Sequence, residues 1–136
     1  MYSNKKIIIL TGKIGSGKSY LLNILKENTD TLCIDCDKEV EKIMTLKERK
    51  RLLKLKGIEY LQNKIYCILR NNILTDIYLT DYKVVAIEGI NAFGLFSDIT
   101  DVVIRFNVPE KIRKQRVLKR GDGLKKFNYF NQLQKE

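Results

Sequence analysis

A glycine-rich segment near the amino terminus constrains this chain more than any other feature. It fits the pattern G-x-x-x-x-G-K-[ST] and consists of Gly12, Lys13, Ile14, Gly15, Ser16, Gly17, Lys18 and Ser19. The run at 7–10 before it is continuously apolar, as in a buried parallel strand, and apolar residues at helical spacing follow it. A strand, a glycine-rich loop and a helix in this order predict a phosphate-binding P-loop.

The residue types in this loop are those that phosphate binding requires. Glycines let the backbone wrap around an anion, so that amide groups point at its oxygens, and the following helix offers its N-terminus. Lys18 is expected to reach the β- and γ-phosphates, and Ser19 is expected to hold Mg²⁺. The motif therefore predicts ATP and Mg²⁺ as cofactors, with the loop residues as the binding site.

Apolar runs that alternate with amphipathic segments predict an α/β fold. Besides 7–10, runs at 31–34, 84–87 and 102–106 are typical of strands in a parallel sheet. We expect a three-layer P-loop fold of about four strands, with 7–10 near the centre, 84–87 and 102–106 beside it, and 31–34 at one edge. The 136 residues predict one domain, with a helical acceptor-side segment at about 37–79 and a basic lid at about 116–128.

Three acidic residues follow the predicted strands on the side where ligands bind in such sheets. Asp35 and Asp37 end the second strand, and Glu88 ends the third. We expect Asp35 to act on an attacking hydroxyl and Asp37 to cap the following helix. Glu88 is a candidate magnesium-organising acid together with Ser19, and a surface glutamate at a strand end is the equal alternative.

The positive charge is concentrated in two blocks. The net charge is +10, and residues 38–56 carry eight Lys or Arg against three Glu, whereas 111–126 carry eight against one Asp. In the second block Arg116 and Arg120 are four residues apart and share a helix face, close to Gly121-Asp122-Gly123. This pattern predicts a lid that clamps phosphates, with both arginines stabilising the transferred group. The first block indicates either a polyanion site or a solvated helix face.

Several function classes are excluded or disfavoured. The chain has no His, so imidazole catalysis and zinc sites that need His are absent. Three Cys and no amino-terminal segment typical of a secretion signal predict a cytoplasmic protein with reduced thiols, and no membrane association. The aromatic residues are scattered, which argues against nucleic acid and favours a small-molecule substrate. The sequence leaves the oligomeric state open.

Several segments together resemble dephospho-CoA kinases. Residues 10–19 read LTGKIGSGKS, close to the family's LTGGIGSGKS, and 34–38 resemble its D-A-D segment. Pro109-Glu110, Arg116 and Arg120 are similar to the family's approach to its lid, whereas Lys13 and the segment 90–94 depart from its pattern. The resemblance implies ATP-dependent phosphorylation of the 3′-hydroxyl of dephospho-CoA, with Asp35 as general base, Lys18 and Ser19 serving ATP and Mg²⁺, and the two arginines on the phosphates.

Two other functions fit the same residues. One is another P-loop kinase, acting on a nucleoside, a nucleotide or a related metabolite, in which Asp35 orients a different hydroxyl. The other is a non-catalytic protein that binds ATP.

Overall fold

The computed structural model describes residues 4–89, 91–121 and 123–133. Its strands are β1 (Lys6–Gly12), β2 (Thr31–Asp35), β3 (Val84–Glu88) and β4 (Val102–Phe106). Its helices are α1 (Lys18–Asn28), α2 (Cys36–Ile43), α3 (Leu46–Lys56), α4 (Ile58–Leu79), α5 (Ala92–Phe96), α6 (Glu110–Lys119) and α7 (Leu124–Leu133). None of the described helices is long and apolar enough to cross a membrane.

The strands form one parallel sheet in the order β2-β3-β1-β4. The predicted positions are confirmed, with β1 between β3 and β4, and β2 at an edge. In the register of β1 and β3, Leu10 lies opposite Glu88. Glu88, the last residue of β3, therefore lies beside the start of the glycine-rich loop. The sheet thus brings the ends of β1, β2 and β3 to one edge of the molecule.

Helices cover both faces of the sheet, as expected for buried parallel strands. Ile7 and Ile9 of β1 pack with Ile73 and Ile77 of α4 on one face. The alternate residue Leu10 packs with Leu22 of α1 on the other. The period of two along β1 therefore divides the core between two helical layers.

The last two helices pack against the glycine-rich loop. Val117 of α6, Phe127 of α7 and Ile14 of the loop form a small buried cluster. The segment predicted as a lid is the junction between these helices, and Asp122 lies outside the described residues. Helix α6 begins at Glu110, because Pro109 is extended (φ −55°, ψ 145°) and occupies the N-cap position.

Candidate active site

The loop between β1 and α1 has the backbone shape of an anion cradle. Gly15 (φ +80°) and Gly17 (φ +101°) adopt left-handed conformations, which side chains disfavour. The Ser16 amide donates to the Lys13 carbonyl oxygen over 3.1 Å, which turns the loop back on itself. Helix α1 begins at Lys18, so its free amide groups face the concave side of the loop.

Glu88 and Ser19 meet at the mouth of this loop. The Ser19 hydroxyl donates to Glu88 Oε1 over 2.8 Å, although the two residues are 69 positions apart. The other carboxylate oxygen, Oε2, is buried and has no hydrogen-bond partner among the described residues. Burial raises the pKa of Glu88, and the hydrogen bond from Ser19 opposes that shift. Of the two alternatives for Glu88, the surface position is wrong, because the residue is only 3% exposed.

Lys18 is buried inside the loop, where its charged group loses most of its contact with water. Its ammonium group donates to the Lys13 carbonyl oxygen over 3.4 Å. Burial lowers the pKa of Lys18, and the charges of Glu88 and Asp37 partly oppose this. The Ser16 hydroxyl is buried nearby without a described partner. A buried cation beside a hydroxyl and a carboxylate oxygen that lack partners fits a magnesium–nucleotide, whose phosphates and metal complement these groups.

Of the two aspartates after β2, Asp35 and not Asp37 caps the following helix. Asp35 is the N-cap of α2, because its Oδ1 accepts from the amides of Asp37 (3.0 Å) and Lys38 (3.4 Å). The prediction that Asp37 caps the helix was wrong, since α2 begins at Cys36, directly after the strand. Asp37 instead lines the cleft, where partial desolvation by the cleft walls and the charge of Asp35 raise its pKa.

A cleft of about 1420 Å³ joins these groups. A single drug-sized ligand occupies a pocket of about 300–1000 Å³, so this cleft has room for two substrates. Besides the loop, its lining includes Tyr20 and Ile24 of α1, Leu46 and Arg49 of α3, Leu61 and Ile65 of α4, and Arg116 and Arg120 of α6. The acceptor-side segment predicted at 37–79 supplies one wall.

A family model described as an AAA domain (AAA_18) matches residues 8–135. The chain belongs to this AAA domain family. No curated protein sequence matches the chain significantly.

Solved structures share the fold of this AAA domain at low sequence identity. TT1252 from Thermus thermophilus is 17% identical with a TM-score of 0.75, over 97% of this chain and 81% of that one. Shikimate kinase from Acinetobacter baumannii, in complex with shikimate, is 18% identical with a TM-score of 0.61, over 90% and 68%. Shikimate kinase from Bacteroides thetaiotaomicron is 22% identical with a TM-score of 0.56, over 83% and 63%. The fold is that of P-loop kinases.

The arginines at helical spacing on α6 differ in position. Arg116 is exposed at the cleft and donates to the Gly15 carbonyl oxygen over 3.2 Å, and Arg120 also lines the cleft. Arg113 is buried and donates to the carbonyl oxygens of Val108 (3.0 Å) and Ile14 (3.2 Å). The AAA domain therefore directs two of these guanidinium groups towards the cleft and uses the third to hold the loop against α6.

Arg49 is a candidate functional residue that sequence reasoning missed. It lines the cleft, and its Nε is buried without a hydrogen-bond partner among the described residues. Its charge partly opposes the rise in the pKa of Asp37 that burial and Asp35 cause. The sequence signal for Arg49 was its place in the basic block at 38–56. That block contains eight Lys or Arg residues, and the sequence does not distinguish which of them faces the cleft.

A side pocket of about 550 Å³ opens beside the cleft and was not predicted either. The Asn91 amide donates to the Tyr66 hydroxyl over 2.6 Å, and the Arg105 guanidinium lies 5.2 Å from the Phe93 ring centroid. Tyr66 and Asn91 also line the main cleft, so the two spaces share part of a wall. The side pocket places a cation and two polar groups beside the cleft.

Proposed function

We propose that this AAA domain transfers a phosphoryl group from ATP to a hydroxyl of a small molecule. The observation that carries the proposal is the hydrogen bond between Ser19 and Glu88 beside the buried Lys18, in a cleft that Asp37 also lines. Phosphoryl transfer depends on positioning and on electrostatic stabilisation more than on covalent chemistry. These residues supply both, and the cleft has room for a donor and an acceptor.

On the donor side, the chain binds the phosphates of ATP with the loop amides and Lys18. Ser19 and Glu88 are the residues that would hold Mg²⁺, since one is a hydroxyl and the other a carboxylate with an oxygen to spare. The metal supplies charge neutralisation between the phosphates when it is bound. Arg116 and Arg120, at the edge of the cleft, stabilise negative charge on the transferred group.

On the acceptor side, the carboxylates after β2 orient the attacking hydroxyl. The proton of the hydroxyl passes to a carboxylate as the new O–P bond forms and the bond to the leaving ADP breaks. Asp35 is the residue that the family resemblance implies for this step. Asp37 faces the cleft directly, and burial together with the charge of Asp35 raises its pKa, which makes it a stronger base than an ordinary aspartate, so we extend the proposal to it.

We propose dephospho-CoA as the acceptor, on the strength of the LTGKIGSGKS and D-x-D segments. Arg49 and Arg105 favour an acceptor that carries anionic groups, which dephospho-CoA does. The second candidate is another metabolite kinase, because the fold is also that of a shikimate kinase solved with shikimate, which is itself an anionic hydroxyl compound. Helices α2–α4 form the acceptor side in either case.

An acceptor panel tests the proposal. ADP formation from ATP and Mg²⁺ is measured with dephospho-CoA, shikimate, adenosine and AMP in one coupled assay, with Asp35→Asn and Asp37→Asn as variants. Turnover that depends on dephospho-CoA and falls at least 100-fold in one aspartate variant supports the full proposal. Preference for another acceptor refutes dephospho-CoA but retains the kinase. ATP binding by calorimetry without turnover of any acceptor refutes catalysis.

A further inference from the structure

Helix α3 is unusually basic and contributes little to the core. Its eleven residues include six Lys or Arg and one Glu, half of the chain's net charge of +10. No residue of α3 is buried. Burial of apolar surface is the main source of helix stability in proteins, so the composition of this helix is not explained by packing.

Four of these cations form one exposed stripe. Lys47, Lys50, Arg51 and Lys54 are three, four and seven residues apart, which places them on the same side of the helix. All four are exposed, and none forms an ion pair with a carboxylate in the described part of the chain. By contrast, Lys42 of α2 pairs with Glu39 over 3.1 Å. The stripe is therefore positive charge that the neighbouring described residues do not neutralise.

The other side of α3 is fixed on the protein. Leu52 packs against Met44, Leu61 and Ile65, which belong to a buried cluster between α2 and α4. This contact holds the stripe outward. A membrane-surface helix needs a continuous apolar side that is free to insert. In α3, Leu52 is packed on this cluster, and the exposed Leu53 and Leu55 are about 160° apart around the helix, so they do not form such a side. The geometry therefore favours a polyanion in water over a lipid surface.

An exposed aromatic ring lies beyond the carboxyl-terminal end of α3, next to Lys56, the last residue of this helix. Tyr60, near the start of α4, is 45% exposed, and the ammonium groups of Lys56 and Lys64 each lie 5.9 Å from its ring centroid. An aromatic side chain beside several cations is typical of surfaces that bind single-stranded nucleic acid, where phosphates contact the cations and bases stack on the ring. The scattered aromatics of the sequence concealed this arrangement, because Tyr60 follows the basic helix only after a turn at Gly57.

We propose that the stripe and Tyr60 form a docking surface for single-stranded RNA or DNA. The surface adjoins the candidate active site, since Leu46 and Arg49 of the same helix line the cleft. A strand bound along α3 therefore lies beside the site of phosphoryl transfer. The proposal goes beyond the kinase activity and does not depend on it, because binding to this surface requires neither ATP nor turnover.

The test measures binding without nucleotide. Binding to a labelled single-stranded RNA of twelve nucleotides is measured by fluorescence anisotropy across a series of salt concentrations. The proteins compared are the wild-type chain, Lys50→Glu/Lys54→Glu and Tyr60→Ala. The matched control is Lys111→Glu/Lys114→Glu, which changes the net charge equally at two exposed lysines of α6. Circular dichroism and thermal melting establish that each variant is folded.

We expect wild-type binding that weakens steeply with salt. The α3 variant should lose at least tenfold in affinity, with a salt slope reduced by about 1.4, as expected when two single-strand phosphate contacts are lost. Tyr60→Ala should lose about five- to tenfold, since stacking on one base contributes to affinity, and the control should stay within about threefold. Equal losses in the α3 and α6 variants would show attraction by net charge alone and overturn the proposal. Absence of RNA binding by the wild-type chain, or binding only to vesicles of anionic phospholipid, also overturns it.

Discussion

Arg113 is expected to be a structural residue, although it shares helical spacing with two proposed catalytic arginines. Its guanidinium group is 5% exposed and joins three parts of the chain that are distant in sequence. It donates to the Val108 and Ile14 carbonyl oxygens and to Asn131 Oδ1, the last over 2.9 Å. It also lies 5.7 Å from the centroid of the Phe127 ring. Replacing it with Met keeps an unbranched side chain that fills most of the space of the arginine's aliphatic part, and it removes all three hydrogen bonds.

The cost of Arg113→Met follows from those contacts. A net hydrogen bond contributes about 1 kcal/mol, and a buried carbonyl left without its donor costs about 1–3 kcal/mol. Two of the three acceptors are backbone carbonyls, and the new methionine side chain restores part of the packing against Phe127. We therefore expect the free energy of unfolding to fall by about 3–4 kcal/mol. With a urea m-value of about 2 kcal/mol/M, the midpoint should fall by about 1.5–2 M.

Urea unfolding followed by circular dichroism measures this change, with Arg116→Met as the matched control. Arg116 is exposed and makes one hydrogen bond, to Gly15, so its loss should cost under about 1 kcal/mol in stability. Its effect should appear in turnover instead. If Arg113→Met lowers the free energy of unfolding by less than about 1 kcal/mol, or if both variants lower it equally, then Arg113 is not the structural arginine that we infer.

Three further predictions concern the loop and its carboxylates. Asp35→Ala should destabilise the chain by about 1 kcal/mol in a thermal melt because it removes the α2 cap, whereas Asp35→Asn should retain the cap; equal losses would contradict the capping role. Gly15→Ala should cost at least about 2 kcal/mol and abolish ATP binding in calorimetry, because a side chain is strained at φ +80° and its Cβ would lie 2.5 Å from the Arg113 carbonyl oxygen. Gly94→Ala, with open space around it, is the control. Because the pKa of Glu88 is higher in the folded than in the unfolded chain, its contribution to stability should rise as pH falls through the folded pKa towards the unfolded value. Urea unfolding across this range should show that Glu88→Gln removes this component, and an identical pH dependence in both proteins would contradict it.

The sequence alone predicted the sheet order and the placement of the glycine-rich loop. Those features depend on local patterns, because four continuous apolar runs mark buried parallel strands and right-handed crossovers limit their order. The helical segment predicted at about 37–79 ends in the structure at Leu79, the last residue of α4. The position of Glu88 beside the glycine-rich loop followed from its place at a strand end, but its burial did not.

The roles of individual residues in the site depended on where the helices begin, to within one residue. Whether Asp35 or Asp37 caps α2 depends on whether the helix begins at Cys36 or later, and both aspartates are good caps by type. Element boundaries of this kind vary by one or two residues for reasons that local sequence does not contain.

The remaining features were decided by contacts between distant parts of the chain. Arg113 and Arg116 look equivalent in sequence, and only the packing of α7, through Phe127 and Asn131, buries the first and leaves the second at the cleft. Arg49 became distinct from its basic neighbours in the same way, because only the folded chain buries its Nε and places it at the cleft. The sequence by itself therefore determined the strands and the glycine-rich loop, since these are encoded in short segments. The tertiary structure decided which charged groups face the cleft, because desolvation and hydrogen-bond partners arise only when remote segments meet.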